Sequence, residues 1–338
     1  MNAHLVHFSS LAWRRFSVVF AAVLMICACS SSQSDEMIGG QDGNAHSGSN
    51  YTEENDAFEA GYKGRLDFEG DTMRVLMLGN SFASDATLYL KDVTDSAGMD
   101  RKRFCVYTGV ISGGGLAKWI ETLETGVQQS YYRMAGAIKM NVTGALRDIL
   151  NQPWDVCVIL QNSDASYKWE TFENTLQTLI DGIKNHCPNP RLKFAYMMPW
   201  THTVQSTEKE WEGNISCAKK VAKEYGLRVL PVGTAVQNAR SQGLENGMYL
   251  TRDNWHMCSG VGKFVAACAL YEGLLSSFAK RSILDNTLIY TLTADEAGSK
   301  GAMAVDSTNV DICRKAAYWA AEKPFEITVE ATNIRNIH

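Results

Sequence analysis

The chain has 338 residues, 45% hydrophobic, 20% charged and 10% aromatic, a globular composition that excludes a disordered, collagenous or coiled-coil protein and predicts one or two domains. With 32 Lys and Arg against 37 Asp and Glu the net charge is -5, so the basic footprint of a nucleic-acid binder is missing and polyanions are not expected as partners. Nine cysteines show no paired CxxC spacing of a zinc site, and a chain of this length builds its core without disulfide staples.

At the start of the chain Arg14 and Arg15 precede an apolar run from Phe16 to Ala28, long enough for a signal-peptide core and too short to span a bilayer comfortably. The run ends in Ile26, Cys27, Ala28 and Cys29, which resembles the bacterial lipobox, so Cys29 is expected to carry a lipid and become the mature N-terminus. An ordinary secretory signal cleaved nearby is the alternative, and the arginine pair also admits twin-arginine export. Residues 30 to about 60 are rich in Ser, Gly, Asn, Asp and Glu with almost no large aliphatics, and residues 29–70 are read as a flexible tether. Removing residues 1–28 takes away two arginines and no acid, leaving 30 bases against 37 acids, or -7. Such a protein meets an anionic membrane surface only through its lipid. An exported protein anchored to a bacterial outer membrane is the expectation.

From about residue 72, short apolar runs alternate with longer segments of helical period, the pattern of βα units and a parallel sheet. Five runs stand out: Met73–Leu78, Phe104–Val110, Asp155–Gln161, Leu192–Met198 and Leu227–Val232. Being apolar on both faces, they suit strands covered by helices on each side. Helices are expected over roughly 84–97, 115–138, 143–151, 169–186, 207–225 and 260–279, with Gly226 as a C-cap and Ser259 as an N-cap. A closing helix near 309–322 and a short strand over Phe325–Val329 complete the expectation. Residues 71–338 thus read as one α/β domain, a three-layer α/β/α sandwich with a five-stranded parallel sheet.

Ligands of an open parallel sheet bind beyond the C-terminal ends of its strands. There the sequence places Gly79-Asn80-Ser81-Phe82 after the first run, Ser112-Gly113-Gly114-Gly115 after the second and Gln161-Asn162-Ser163-Asp164 after the third. Arg252-Asp253-Asn254-Trp255-His256 precedes the helix at 260. Together they supply a nucleophile, a base oriented by a carboxylate, and amide donors for an oxyanion. Asp253 and His256 stand three apart, which lets the carboxylate face imidazole Nδ1 while Nε2 points to the serine. The expected chemistry is serine acyl transfer, as in an esterase or deacylase.

At these residues the chain resembles the SGNH or GDSL-type hydrolase superfamily over nearly all of residues 72–280. The resemblance implies a flavodoxin-like fold with Ser81 as nucleophile and its own N–H as one oxyanion donor. Gly113 or Gly114 would be the second donor, Asn162 the third, and Asp253 and His256 the remaining catalytic pair. The phrases LGNSF, PWDVCVILQ, VLPVGTA and RDNWH look like a branch of bacterial lipoprotein esterases. That branch often has two glutamines after the third strand, where this chain has Gln161 and Asn162, so either amide is a candidate for the oxyanion. Trp119 stands where a histidine is expected in close relatives. The resemblance further implies removal of acetyl or other small acyl groups from glycans, with lipids as a second substrate class and no metal or organic cofactor. A catalytically silent glycan-binding lipoprotein on the same scaffold is the alternative.

Each signal also has a plainer reading. A lone Gly-Asn-Ser can be an ordinary turn. His202, after the fourth strand, is a second candidate base, although no carboxylate adjoins it in sequence, and His186 ends a helix. The triple glycine lacks the Lys and Ser or Thr of a P-loop. Cys105, Cys157 and Cys268 read as buried thiols, while Cys187, Cys217 and Cys258 are candidates for pairing. Asn80, Gln161, Trp200 and Trp255 are candidate substrate contacts, and Trp119, Trp169 and Tyr167 lie near the same edge. Core packing is the competing role for all these aromatics. Arg252 is expected to hold a substrate carboxylate or to pair with an acid such as Asp253.

Overall fold

Met73–Gly79 alternates its side chains between two apolar layers, and this strand, β1, is the centre of the sheet. Met73, Val75 and Met77 enter one core cluster, and Leu76 and Leu78 enter the other. Burying each such side chain contributes about 1.5–3 kcal/mol, which is why an apolar run of this length settles as a doubly covered strand. The computed structural model describes residues 58–202, 207–245 and 250–328. The signal segment and Cys29 lie outside the described residues.

The remaining strands are β2 (Phe104–Val110), β3 (Gln128–Gly136), β4 (Thr143–Ala145), β5 (Val156–Ile159), β6 (Lys193–Met197) and β7 (Arg228–Leu230). They form a mixed seven-stranded sheet in the order β4-β3-β2-β1-β5-β6-β7. The five expected strands pair in parallel. The expectation of a five-stranded sheet falls short because β3 and β4 add an antiparallel edge beside β2.

That edge lies where a helix was expected over 115–138. The helix covers only Leu116–Thr125, because Gly126 takes a left-handed φ of 69° and returns its N–H to Thr122 O. The chain then turns into β3, whose alternation is hidden in the sequence because the β2–β3 register shifts between Val106 and Tyr107. The segment expected as a helix over 143–151 likewise begins as β4 before the helix Leu146–Leu150.

One face of the sheet carries the helices Ser81–Thr87, Leu90–Ser96, Val232–Ser241 and Val261–Leu274; the other carries Leu116–Thr125, Thr175–His186 and Thr207–Tyr225. Every residue of Val261–Leu274 is buried, because the helix Val310–Glu322 packs over it. Val232–Ser241 is a helix that the sequence reading had partly assigned to the fifth strand. Gly260 rather than Ser259 caps the helix at 261, and residues 325–328 are not strand, Val329 lying outside the described residues.

Residues 58–70, read as the end of the tether, pack against the domain. Phe58 and Tyr62 cluster with Phe325, Leu66 is buried, and Arg65 pairs with Glu272 and Glu322. A few aromatics and one arginine suffice to dock a segment whose average composition is polar. The described cysteines, including Cys187, Cys217 and Cys258, are free and buried, so none of the candidate pairings forms. Among the described residues no helix is long and apolar enough to cross a membrane.

Candidate active site

Gly79 ends β1 in a turn so tight that a Cβ there would lie 2.4 Å from that of Ala83. Only glycine lets the strand pass directly into the helix that Ser81 begins. Asn80 caps this helix, its Oδ1 accepting the N–H of Phe82 at 2.9 Å. Its Nδ2 donates to Gly114 O at 2.9 Å and to Gln161 O at 3.5 Å. One buried amide therefore ties the ends of β1, β2 and β5 together, and a carboxylate, lacking donors, would not do so. Asn80 is accordingly a structural clamp rather than a substrate contact.

The acid and base arrive on a hairpin, not in a turn running straight into a helix. Thr251 and Met257 form an antiparallel bridge, with Arg252 N donating to His256 O and Cys258 N to Leu250 O, both at 2.8 Å. Asn254 sits at the tip with φ 74°, a conformation asparagine tolerates better than most residues. Asp253 Oδ1 accepts the N–H groups of Trp255 at 3.1 Å and His256 at 2.8 Å, and Oδ2 meets His256 Nδ1 at 2.8 Å. Burial pushes the Asp253 carboxyl up, but the N–H donors of His256 and Trp255 outweigh it and hold the group below the usual carboxylate range.

His256 Nε2 lies 2.8 Å from Ser81 Oγ. The structure thus brings Ser81, His256 and Asp253 into one chain of hydrogen bonds from residues 175 positions apart. The imidazole is braced by the edge of Phe82, 5.9 Å between centroids, and Phe82 in turn stacks on Trp200 at 4.2 Å. Trp200 is buried and donates Nε1–H to Trp255 O, so it supports the hairpin from beneath instead of facing a substrate. Trp255 is half-buried, with its ring against His202 at 3.9 Å.

Around Ser81 the amide donors divide clearly. Ser81 N–H opens its helix and has no carbonyl within it to bond. Gly114 N–H is taken by Ile111 O at 2.8 Å, which removes Gly114 as an oxyanion donor and leaves Gly113, whose N–H has no acceptor among the described residues. Asn162 Nδ2 bonds Gly113 O and Asn162 Oδ1 accepts Asp164 N–H, which aims the amide at the same loop and leaves it a second hydrogen. Gln161 is buried, with Oε1 holding Leu116 N–H and Asn162 N–H and Nε2 held by Thr171. Its amide is fully used, so Gln161 is neither an oxyanion donor nor a substrate contact, and Asn162 is the side chain that remains.

Other expectations are corrected by packing. Trp119 is fully buried against Tyr131, and Trp169 stacks on Phe172. His202 does have a carboxylate: Glu210 Oε1 lies 2.7 Å from its Nδ1, and the pair is buried. Eight intervening residues hid it in the sequence. Arg252 pairs with Asp85, not with Asp253. Asp85 was missed, although its position one helical turn after Ser81 was a legible signal. Among the described residues no group of three or more His, Cys, Asp or Glu is placed to hold a metal ion.

Residues 74–298 match the family described as a domain of unknown function, DUF4886, and the chain belongs to that family. A crystal structure of a DUF4886 family protein from Bacteroides uniformis is similar at a TM-score of 0.64 and 21% identity, covering 78% of this chain and 99% of that one, which shows a shared fold. A catalytic mutant of Axe2, an acetylxylan esterase from Geobacillus stearothermophilus, aligns at a TM-score of 0.44 and 14% identity over 61% of this chain and 95% of its own. BT4096, a gut microbial diltiazem-metabolizing enzyme, aligns at 0.40 and 15% over 62% and 48%. These two looser likenesses carry no argument about chemistry. No curated protein matches the chain.

Proposed function

We propose that this DUF4886 protein is a serine esterase of the SGNH type that removes acetyl or other small acyl groups from carbohydrates. The observation that carries the proposal is the chain of contacts from Ser81 Oγ to His256 Nε2 and from His256 Nδ1 to Asp253, each 2.8 Å. In the proposed reaction His256 Nε2 takes the Ser81 proton as Oγ attacks the ester carbonyl, while Asp253 holds the ring and stabilises the imidazolium. The N–H groups of Ser81 and Gly113 with the Asn162 amide receive the oxyanion. Collapse expels the alcohol with a proton from His256, and a water molecule, deprotonated by the same ring, releases the acid and restores Ser81.

A polar substrate suits the rim of this site, where Asp253 and Asn254 are exposed and His256 is 29% exposed. Trp255 is the aromatic of the hairpin left with a partly open surface. Export and anchoring through a lipid on Cys29, with the hydrolase domain carried beyond a polar tether, complete the proposal and rest on the sequence of residues 1–57.

A fluorophosphonate should label the wild-type protein covalently at Ser81 and leave Ser81→Ala unlabelled, and acetate release from a panel of acetylated glycans should name the substrate. A folded wild-type protein that takes up no label and releases no acid would refute the esterase reading and point to glycan binding without catalysis.

A further inference from the structure

Asp85 lies four residues after Ser81 on the helix Ser81–Thr87, so the two side chains leave the same face of it. Its buried carboxylate reaches the hairpin at two points. Oδ2 accepts Met257 N–H at 2.8 Å, immediately after His256, and both oxygens accept Arg252 Nη1 at 3.1 and 3.3 Å, immediately before Asp253. Arg252 Nη1 also donates to Met257 O, which closes the link across the hairpin's neck. Lys263 Nζ approaches Asp85 at 4.0 Å from the helix beneath.

A buried ion pair is a poor way to gain stability, since desolvation offsets most of the attraction. Burial in fact pushes the Asp85 carboxyl above its ordinary value, with Arg252 and Lys263 pulling it back. What this costly carboxylate supplies is registration between two elements far apart in sequence. We infer that Asp85 is a positioning residue: by gripping both ends of the Asp253–His256 turn it fixes His256 Nε2 at bonding distance from Ser81 Oγ. This deepens the proposed hydrolase reading and rests on it for the reaction concerned. Displacing a catalytic group by about 1 Å costs on the order of a hundredfold in rate.

The test compares Asp85→Ala, Asp85→Asn and Arg252→Ala in the full chain by fluorophosphonate labelling rate and by kcat and KM on a small acetyl ester. The His256 ring nitrogen signals are followed in each variant by NMR. Expected is a fall in labelling and kcat of roughly tenfold to a hundredfold in Asp85→Ala with little change in KM. Asp85→Asn should be intermediate, because its amide oxygen still accepts Met257 N–H. In both variants the His256 signals should shift as its contact with Ser81 loosens, which a purely structural carboxylate would not cause at temperatures well below unfolding. If Asp85→Ala does not fold, Arg252→Ala, altered at a partly exposed side chain, carries the same expectation with a smaller fall. Folded variants with wild-type labelling rates and unchanged His256 signals would overturn the inference. Should the wild type itself not label, the esterase reading fails separately, and the His256 signals still decide whether Asp85 positions the ring.

Discussion

Replacing Asp253 by Asn separates two jobs that one carboxylate performs. Its Oδ1 holds the hairpin tip through the N–H groups of Trp255 and His256, and an amide oxygen can keep both bonds. Its Oδ2 receives Nδ1–H of His256 at 2.8 Å, and there an amide NH2 presents a donor instead. The ring must then accept at Nδ1 and carry its proton on Nε2, facing Ser81 Oγ, where it can no longer act as a base. In a serine triad this tautomer fault costs about 10⁴-fold in kcat. Asp253 is 45% exposed here, so water competes for Nδ1 and part of the population keeps the productive tautomer. The expected loss is therefore roughly 10³–10⁴-fold, about 4–5.5 kcal/mol at 1.36 kcal/mol per decade. The assay is kcat/KM on a small acetyl ester near neutral pH, read beside thermal unfolding. Asp253→Asn should unfold close to the wild type, whereas Asp253→Ala, which loses the tip bonds as well, should unfold earlier. Activity of Asp253→Asn within tenfold of the wild type would refute the orienting role.

Two glycines three apart in function but adjacent in the loop should behave oppositely. A Cβ at Gly115 would lie 2.1 Å from Gln161 Oε1 and 2.8 Å from Asn162 N, so Gly115→Ala must displace that clamp and leave buried amides unsatisfied, at about 1–3 kcal/mol each in urea unfolding. Gly113→Ala meets nothing within 4 Å and should cost only the ~1–2 kcal/mol of its φ of 63°; equal costs would contradict this account. Asn162→Ala should lower kcat by roughly 10²–10³-fold with little change in KM, and an unchanged kcat would remove Asn162 from the oxyanion site. Because the folded-state value of Asp253 lies below the ordinary 3.8, its charge contributes stability that is present above 3.8 and is lost as pH falls through the lower folded value. The stability difference between wild type and Asp253→Asn should thus narrow as pH is taken below 3.8; a difference constant with pH would show that no such charge term exists.

The parallel core was legible because strands buried on both faces need runs of Val, Leu, Ile and Met, and such runs are visible one residue at a time. The antiparallel edge was not, since the burial of Tyr131 and Ala135 in β3 depends on a bulge in β2 and on Gly126 stopping a helix that the preceding residues would otherwise continue. The tail of the tether was misjudged for a related reason: Phe58, Tyr62 and Arg65 find their partners in Phe325, Glu272 and Glu322, more than 200 residues away.

At the site, the sequence by itself determined which residue types stand at the strand ends and that Asp253 and His256 are spaced to meet, because both are properties of the local chain. The tertiary structure alone decided that Ser81 meets His256, and it alone assigned the amides. Asn80 and Gln161 look like substrate contacts in the sequence, yet both spend their hydrogen bonds joining strand ends, while Gly114 spends its N–H on Ile111. Whether a polar group is free to act depends on every donor and acceptor within about 3 Å of it, and those neighbours come from all parts of the chain.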